Sequence, residues 1–147
     1  MTAKPQATWS AATTFEASGT FREERPSLGR VGSCVGLAWL RTTDQGTTVM
    51  RADTCEGSAW SEARSVSDGP VLPHVSPQWS SDGTLVWAEG ELGADARLCA
   101  EAWTGDEAAC SGLGQVGVDG VFARASGELG AAVRAEGEAW AFVDLRR

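Results

Sequence analysis

The feature that most constrains this chain is an internal repeat: moving the sequence along itself aligns 82–103 with 119–140 without a gap. The two stretches read DGTLVWAEGELGADARLCAEAW and DGVFARASGELGAAVRAEGEAW, and 12 of their 22 positions are identical. A looser copy occupies 35–60, and the Ala-Thr-Trp-Ser at 7–10 resembles the end of one more unit. The two stretches are 37 residues apart. Repetition at such a period indicates an architecture in which each unit is one small supersecondary element that packs on its neighbours.

Within each unit the sequence predicts a strand, a turn, a second strand and a further short strand after the terminal tryptophan. The 18 glycines oppose long helices, because Gly costs about 1 kcal/mol inside a helix, and no stretch keeps a helical apolar period over three turns. The turns at 44–46 and 90–93 contain residues that tolerate a positive φ. The predicted first strands and their partners are 37–40 with 49–52, 85–88 with 96–103, and 121–123 with 132–140.

The pattern predicts an all-β domain of three four-stranded antiparallel repeats, which are blades of a β-propeller in the leading interpretation and leaves of a β-trefoil in the alternative. A length of 147 residues suits one domain with its own core. The predicted divisions are an N-terminal strand and linker (1–30) and three repeats (31–70, 71–112 and 113–147).

One unit resembles a known family. The stretch 76–88 (SPQWSSDGTLVWA) resembles the TolB-type β-propeller repeat, whose pattern is Pro-x-Trp-Ser-Pro-Asp-Gly followed by an apolar strand, and Ser81 stands where the family has Pro. The residues 97–99 stand where the family's third strand begins, and 104–105 where its closing turn falls. The resemblance is weaker in the other two units. It implies a blade fold and no particular activity, since propellers host many functions.

Three blades do not close a propeller, because known propellers use about four to eight. An open row of blades leaves apolar blade faces in water, which favours association. We therefore expect either that the chain self-associates, two copies completing six blades, or that it is a piece of a longer protein. A β-trefoil needs three repeats in about this length and stays open as the alternative.

The four cysteines form two pairs that are placed symmetrically about predicted turns. A hairpin turning at 44–45 and another turning at 104–105 each set two cysteines opposite one another. Facing residues of antiparallel strands are close enough for a disulfide. The predicted disulfides are Cys34–Cys55 and Cys99–Cys110. They imply an oxidising compartment and therefore a secreted, periplasmic or cell-surface location; four buried free thiols are the alternative. No metal site is expected, because the chain has no Cys-x-x-Cys and its one histidine is distant in sequence.

Charge and hydropathy exclude two classes of partner. Twelve basic and 20 acidic residues give a net charge of −8 and a pI near 4.6, so the long-range field repels nucleic acid and anionic lipid. No apolar run approaches the roughly 20 residues that a membrane helix needs. We expect no nucleic-acid partner and no membrane insertion.

Each of the two close repeats contains the pattern Arg-x-x-x-Glu-x-Trp. On a strand these three side chains share one face, since alternate residues point the same way. A guanidinium, a carboxylate and an indole on one face can bind a sugar. Fucose-binding propeller lectins are similar in kind, although this sequence has no counterpart of their characteristic Tyr. The alternative is a surface ion pair with the tryptophan packed between blades. The candidate ligand-binding residues are Arg97, Glu101, Trp103, Arg134, Glu138 and Trp140.

The sequence carries no recognisable catalytic signature. His74 is the one histidine, no Gly-x-Ser-x-Gly elbow accompanies it, and no phosphate loop or dinucleotide fingerprint occurs. We predict no enzyme activity and no cofactor. The predicted function is a non-enzymatic extracytoplasmic β-propeller-type module that binds or scaffolds another protein or a second copy of itself; the alternative is a carbohydrate-binding lectin. The tryptophans expected to pack the repeats are Trp39, Trp60, Trp79, Trp87, Trp103 and Trp140.

Overall fold

The structure is a computed structural model that describes residues 21–56, 58–91, 94–105, 108–123, 128–135 and 141–145. These residues form eleven strands and no helix, which confirms the all-β prediction. In this part of the chain no strand set closes into a barrel, and no helix capable of crossing a bilayer is found.

The strands form three antiparallel sheets in which each strand pairs with the one before it. Sheet 1 contains β1 (Arg22–Val31), β2 (Cys34–Thr43), β3 (Gly46–Cys55) and β4 (Arg64–Ser65). Sheet 2 contains β5 (Gln78–Trp79), β6 (Leu85–Glu89), β7 (Ala96–Glu101) and β8 (Ala109–Gly114). Sheet 3 contains β9 (Gly117–Ala123), β10 (Leu129–Arg134) and β11 (Ala141–Leu145). Four strands per unit are therefore observed in sheets 1 and 2, whereas the described part of sheet 3 has three.

The registers of two hairpins confirm the predicted disulfides. The strands β2 and β3 pair along their whole length and turn at 44–45, so that Cys34 faces Cys55. The strands β7 and β8 pair with Cys99 opposite Cys110. Both pairs are bonded, with Cα separations of 3.9 and 4.0 Å respectively, and the described residues contain no free cysteine. Two disulfides indicate an oxidising, extracytoplasmic environment.

Sheet 2 is the middle layer of the three. The strand β6 is buried at every position, because its alternate side chains face different neighbours: Leu85 and Trp87 pack with sheet 1, and Val86 and Ala88 pack with sheet 3. Both β5 and β6 of this sheet contact β9 of sheet 3, and β5 also contacts β1 of sheet 1. The unbroken apolar run LVWA therefore belongs to a strand that is covered on both faces.

The core between sheets 1 and 2 is formed by Ala38, Leu40, Val49, Val66, Val71, Leu85, Trp87 and Cys99. The core between sheets 2 and 3 is formed by Leu72, Val75, Val86, Ala88, Ala96, Leu98, Ala100, Val118, Val121, Leu129, Ala131 and Val133. A smaller cluster of Trp39, Met50 and Ala52, with Leu37 and Trp60 beside it, lies on the other face of sheet 1.

The third unit departs from the predicted strand positions. The partner of 121–123 was predicted to be 132–140, but β10 begins at Leu129, which pairs with Ala123. In the second unit the same Gly-Glu-Leu-Gly motif lies between β6 and β7. One difference that accords with this shift is that Asp95, a residue of low strand propensity, precedes β7, whereas its counterpart Ala132 lies inside β10. The strand of the third hairpin begins earlier, and Leu129 is a core residue.

Candidate functional site

Two tryptophans of sheet 2 lie at its junction with sheet 1, and the first is Trp79 at the end of β5. A Cβ added to Gly29 would lie 2.5 Å from this side chain, and one added to Gly36 would lie 2.7 Å from it. The two glycines therefore leave the space that the indole fills on β1 and β2. The Nε1–H of Trp79 donates to the carbonyl of Ser27 at 3.1 Å, so the half-buried indole has a polar partner as well as a packing surface.

The second is Trp103, which lies in the turn after β7. Its ring centroid is 5.7 Å from that of Trp79, with the planes inclined at 53°, a separation at which aromatic pairs attract one another. Gly83 lies beside it with φ +81°, and a Cβ there would approach Val31 to 2.3 Å. Both the backbone conformation and the lack of space require glycine at this position.

Arg51 of β3 reaches from sheet 1 to both rings. The residue is 1% exposed, and its Cζ lies 5.3 Å from the ring centroid of Trp79 and 5.1 Å from that of Trp103. These distances are within the range of a cation–π interaction. Its Nη2 also donates to the carbonyl of Trp103 at 2.6 Å and its Nη1 to that of Ala102 at 3.2 Å. Its Nε has no hydrogen-bond partner among the described residues. The guanidinium group lies over the two indole rings, which attract its positive charge.

Glu101, at the end of β7, binds two guanidinium groups. Arg51 Nη1 donates to Oε1 at 2.6 Å; Arg64 Nη2 donates to the same oxygen at 2.6 Å and Arg64 Nη1 donates to Oε2 at 3.2 Å. The hydrogen bond to Glu101 raises the pKa of Arg64 above its usual value; partial burial opposes the shift, and attraction to Glu101 and Asp53 adds to it. Asp53 lies 3.3 Å from Arg51. Two cations and two anions thus neutralise one another at this junction.

We call Arg51, Arg64, Trp79, Glu101 and Trp103 the Arg–Glu–Trp cluster. Its arginines come from sheet 1, Trp79 and Glu101 come from sheet 2, and Trp103 lies in the turn that follows β7. Removing one partner of a buried ion pair typically costs about 3–5 kcal/mol, because the other charge stays buried and uncompensated. The charged groups of the cluster are occupied by one another, so its chemistry is suited to holding two sheets in one orientation.

Only part of the predicted Arg-x-x-x-Glu-x-Trp face is brought together. Arg97 shares a face of β7 with Glu101, but its Nη2 donates to Glu89 at 2.5 Å. Glu89 is itself buried and also accepts the Nε1–H of Trp87 at 3.0 Å and the backbone N–H of Asp68 at 3.2 Å. The predicted face is thus not one site: Arg97 binds the buried carboxylate of Glu89, whereas the buried carboxylate of Glu101 is bound by Arg51 and Arg64.

Arg134, from the second copy of the pattern, lines a cleft of about 410 Å³ where sheets 2 and 3 meet. The cleft is also lined by His74, whose Nε2 lies 2.8 Å from the Val118 carbonyl and 3.7 Å from a carboxylate oxygen of Asp119. Arg134 therefore has different surroundings from Arg97, its counterpart in the repeat, which binds Glu89. The other two predicted residues of this copy, Glu138 and Trp140, lie outside the described residues.

The sequence analysis missed Arg51 and Arg64, although a signal for Arg51 was present. With the hairpin turn at 44–45, strand alternation puts Thr47, Val49 and Arg51 on one face of β3, and this face is the inward one. An arginine at a core position requires an anionic partner. The identity of that partner could not be read, because Glu101 is 50 residues away and approaches only when the sheets stack.

One group of side chains in the described part of the chain lies close enough together to be considered as metal ligands, but its members already have other partners. Among the described residues the one group of three that lies close enough is Glu89, Cys99 and Cys110. Both sulfurs are joined in a disulfide, and a metal ligand would need a free thiolate. The Glu89 carboxylate meanwhile accepts from three donors.

The exposed apolar side chains are concentrated at the two ends of the strand order. Four large hydrophobic residues of the described chain are exposed: Phe21 (37%), Leu28 (69%), Phe142 (75%) and Val143 (38%). The first two lie at or beside β1, and the last two lie on β11. Phe142 also makes an edge contact with Phe122, with centroids 6.1 Å apart. Groups of exposed apolar side chains are typical of association surfaces.

Comparisons with known proteins found no matching protein-family model, no matching curated protein and no matching solved structure.

Proposed function

We propose that this protein is a non-enzymatic, extracytoplasmic module of the β-propeller type that binds protein, including further copies of itself. The observation that carries the proposal is that, among the described residues, the four exposed large hydrophobic side chains lie on the first strand or directly before it, and on the last strand. The two internal sheet junctions are already filled by packed side chains. Association would therefore use the ends of the stack.

Two features support the propeller interpretation over the trefoil. Each sheet is a meander of antiparallel strands, and consecutive sheets pack face to face. A row of blades has these relations. The resemblance of 76–88 to TolB-type repeats agrees with them, because this segment contains β5 and most of β6. The two disulfides support a secreted, periplasmic or cell-surface location.

The carbohydrate hypothesis has less support than protein binding. Glu101 is buried and bonded to two arginines, and Trp103 packs against Trp79 and Arg51. A sugar would have to displace these contacts before it could use either residue.

The mass in solution tests the proposal. Light scattering coupled to size exclusion, measured over a wide range of protein concentration, should show association, and two copies would complete six blades. A chain that stays monomeric throughout and captures no protein in pull-down experiments would contradict the proposal. A glycan array adds a second arm: sugar binding that is lost in Trp103→Ala would favour the lectin instead.

A further inference from the structure

The two disulfides of this protein lie in different surroundings. Each joins directly opposite residues of a hairpin, and each has one exposed cysteine, Cys55 in the first pair and Cys110 in the second. The other two cysteines differ: Cys34 is half-buried, whereas Cys99 is fully buried and packs in the core between sheets 1 and 2. An external thiol can therefore approach either pair from its exposed cysteine, and the pairs differ in the sulfur that it would displace.

Displacement of the Cys99 sulfur is opposed by its neighbours. The two sulfurs of this pair and a carboxylate oxygen of Glu89 lie within 4.8 Å of one another, and Glu89 is 1% exposed. Attack on Cys110 would leave Cys99 as a buried thiolate beside that carboxylate, whose arginine partner, Arg97, is already bound to it. An unpaired buried charge is costly, and two negative charges repel strongly where water is excluded. The Cys99–Cys110 bond should therefore resist reduction while the sheets stay packed.

The Cys34–Cys55 bond lacks this protection. It joins the last pair of the β2–β3 ladder, and both of its cysteines are at least partly exposed. Among the residues that the structure describes, no carboxylate or imidazole lies within 4.8 Å of both its sulfurs. A thiolate formed at Cys34 would therefore be partly hydrated and would meet no buried negative charge. Accessible disulfides of this kind are the more readily reduced ones.

The hairpin of sheet 1 has other contacts that hold it when this bond opens. The strands β2 and β3 pair over their whole length. In the loop that follows, the backbone N–H of Ser58 donates to the Cys55 carbonyl at 3.0 Å, and that of Ser61 donates to the Asp53 carbonyl at 2.8 Å. Reduction should therefore loosen the end of the hairpin without unfolding it.

This end of the hairpin borders the Arg–Glu–Trp cluster. Alternate residues of a strand share a face, so Cys55 lies on the same face of β3 as Asp53 and Arg51. On β2, Cys34 likewise shares a face with Gly36, whose backbone lies against both indoles of the cluster. The disulfide therefore joins the two strands of sheet 1 where they contact the cluster.

We infer that the Cys34–Cys55 bond is a redox-sensitive link, which an external dithiol opens in the folded protein while Cys99–Cys110 stays closed, and that its opening loosens the junction of sheets 1 and 2. This property is independent of the proposed self-association.

The reduction is an ordinary exchange between thiols and disulfides. A thiolate of the dithiol attacks the Cys55 sulfur, forms a mixed disulfide there and displaces Cys34 as a thiolate. The second thiol then attacks the bonded sulfur of its own molecule and releases Cys55. Two electrons pass to the protein, the dithiol becomes an internal disulfide, and its two protons end on the two cysteine thiols.

Thiol trapping tests which bond opens. The folded protein is incubated with increasing dithiothreitol, the new thiols are alkylated, and peptide mass spectrometry identifies them. Cys34 and Cys55 should be alkylated at a dithiothreitol concentration about tenfold or more below that needed for Cys99 and Cys110. In urea sufficient to unfold the chain this difference should largely disappear, because the burial of Cys99 is its cause. Reduction of Cys99–Cys110 first, or of both pairs together in the folded protein, would overturn the inference.

The variant Glu89→Gln tests the role of the buried carboxylate. It removes the negative charge and keeps an oxygen that accepts from Trp87. The Cys99–Cys110 bond should then be reduced at a severalfold lower dithiothreitol concentration, whereas Cys34–Cys55 should be unchanged. Glu62→Gln removes a charge at an exposed position, and as the matched control it should alter neither bond. A Cys99–Cys110 bond that is equally resistant in folded Glu89→Gln would remove the electrostatic basis of the inference.

Near-ultraviolet circular dichroism tests the effect on the junction. Selective reduction of Cys34–Cys55 should change the tryptophan signal, because Trp79 and Trp103 pack against the strands that the bond joins, and reoxidation should restore it. The double variant Cys34→Ser with Cys55→Ser should show the altered signal without reductant and no response to the same dithiothreitol concentration. A signal that stays constant while the two cysteines are alkylated would show that the bond does not hold the junction, and would overturn the inference.

Discussion

The two sheet junctions of this protein are built in different ways. Between sheets 2 and 3 the contact is aliphatic, with Leu98, Val118 and Leu129 all 1% exposed or less. Between sheets 1 and 2 an apolar core that includes Trp87 is joined by a buried arginine, a buried glutamate and two further tryptophans. Apolar packing is tolerant of how two surfaces are rotated, whereas hydrogen-bonded ions require one geometry. The relative orientation of sheets 1 and 2 should therefore be fixed more narrowly than that of sheets 2 and 3.

The largest effect should come from breaking the charged junction. Arg51→Ala leaves the buried carboxylate of Glu101 with only the half-exposed Arg64 and removes the cation between two indoles. We expect a loss of about 4 kcal/mol in the free energy of unfolding, because an uncompensated buried charge costs about that much. Urea unfolding followed by tryptophan fluorescence measures it.

The double variant Arg51→Met with Glu101→Leu sharpens the result. It removes both charges at similar volume, so it should be clearly more stable than Arg51→Ala alone. If Arg51→Ala costs less than 1 kcal/mol, the ion pair does not hold the junction.

The aliphatic junction should respond to lost volume. Leu98 is fully buried between sheets 2 and 3, and Leu98→Ala should destabilise the fold by about 3 kcal/mol through lost transfer energy and the cavity that remains. Leu98→Met, which nearly conserves volume, should cost less than about 1.5 kcal/mol. Thermal and urea denaturation report both. Equal losses in the two variants would mean that cavity formation is not the cause.

A smaller effect is expected where the backbone of sheet 1 approaches Trp79. A Cβ on Gly36 would lie 2.7 Å from this ring, whereas a Cβ on Gly112 of β8 meets nothing within 4 Å. Gly36→Ala should therefore cost about 2 kcal/mol through overpacking, and Gly112→Ala should be neutral or slightly stabilising. The difference in urea midpoint between this matched pair measures how tightly the indole is seated, and equal midpoints would contradict the geometry.

The smallest effect belongs to the exposed side of the charged junction. The Arg64 side chain is 45% exposed, so solvent screens its pair with Glu101, and Arg64→Ala should cost about 1 kcal/mol. Because the folded-state pKa of Arg64 is raised, its contribution is complete below the usual arginine pKa and is lost only as pH rises through the raised value. The difference between wild type and variant should thus stay constant from neutral to moderately alkaline pH. A difference that falls in this range would show another group titrating.

Local features of the sequence were sufficient to predict two hairpins and the two disulfides that join their strands. A turn fixes the register of its two strands, so the positions of Cys34 and Cys55 about 44–45 already implied that they face each other. The same holds for Cys99 and Cys110. The third unit shows where this reasoning fails, because a repeat alignment assumes equal turns. In the third unit β10 begins inside the repeated Gly-Glu-Leu-Gly motif and includes Ala132, the counterpart of Asp95, so its register differs from that of β7.

The repeat, the alternation of apolar residues and the turn chemistry are short-range properties, and they were enough to establish an all-β chain of hairpin units with two paired disulfides. The partners of Arg51, the separation of Arg97 from Glu101, and the placing of Phe142 at an exposed edge depend on how the sheets stack. Those contacts join residues far apart in the chain, and each side chain has several chemically acceptable partners. Packing in three dimensions selects one of them, and for that reason the candidate surfaces emerged only from the folded arrangement.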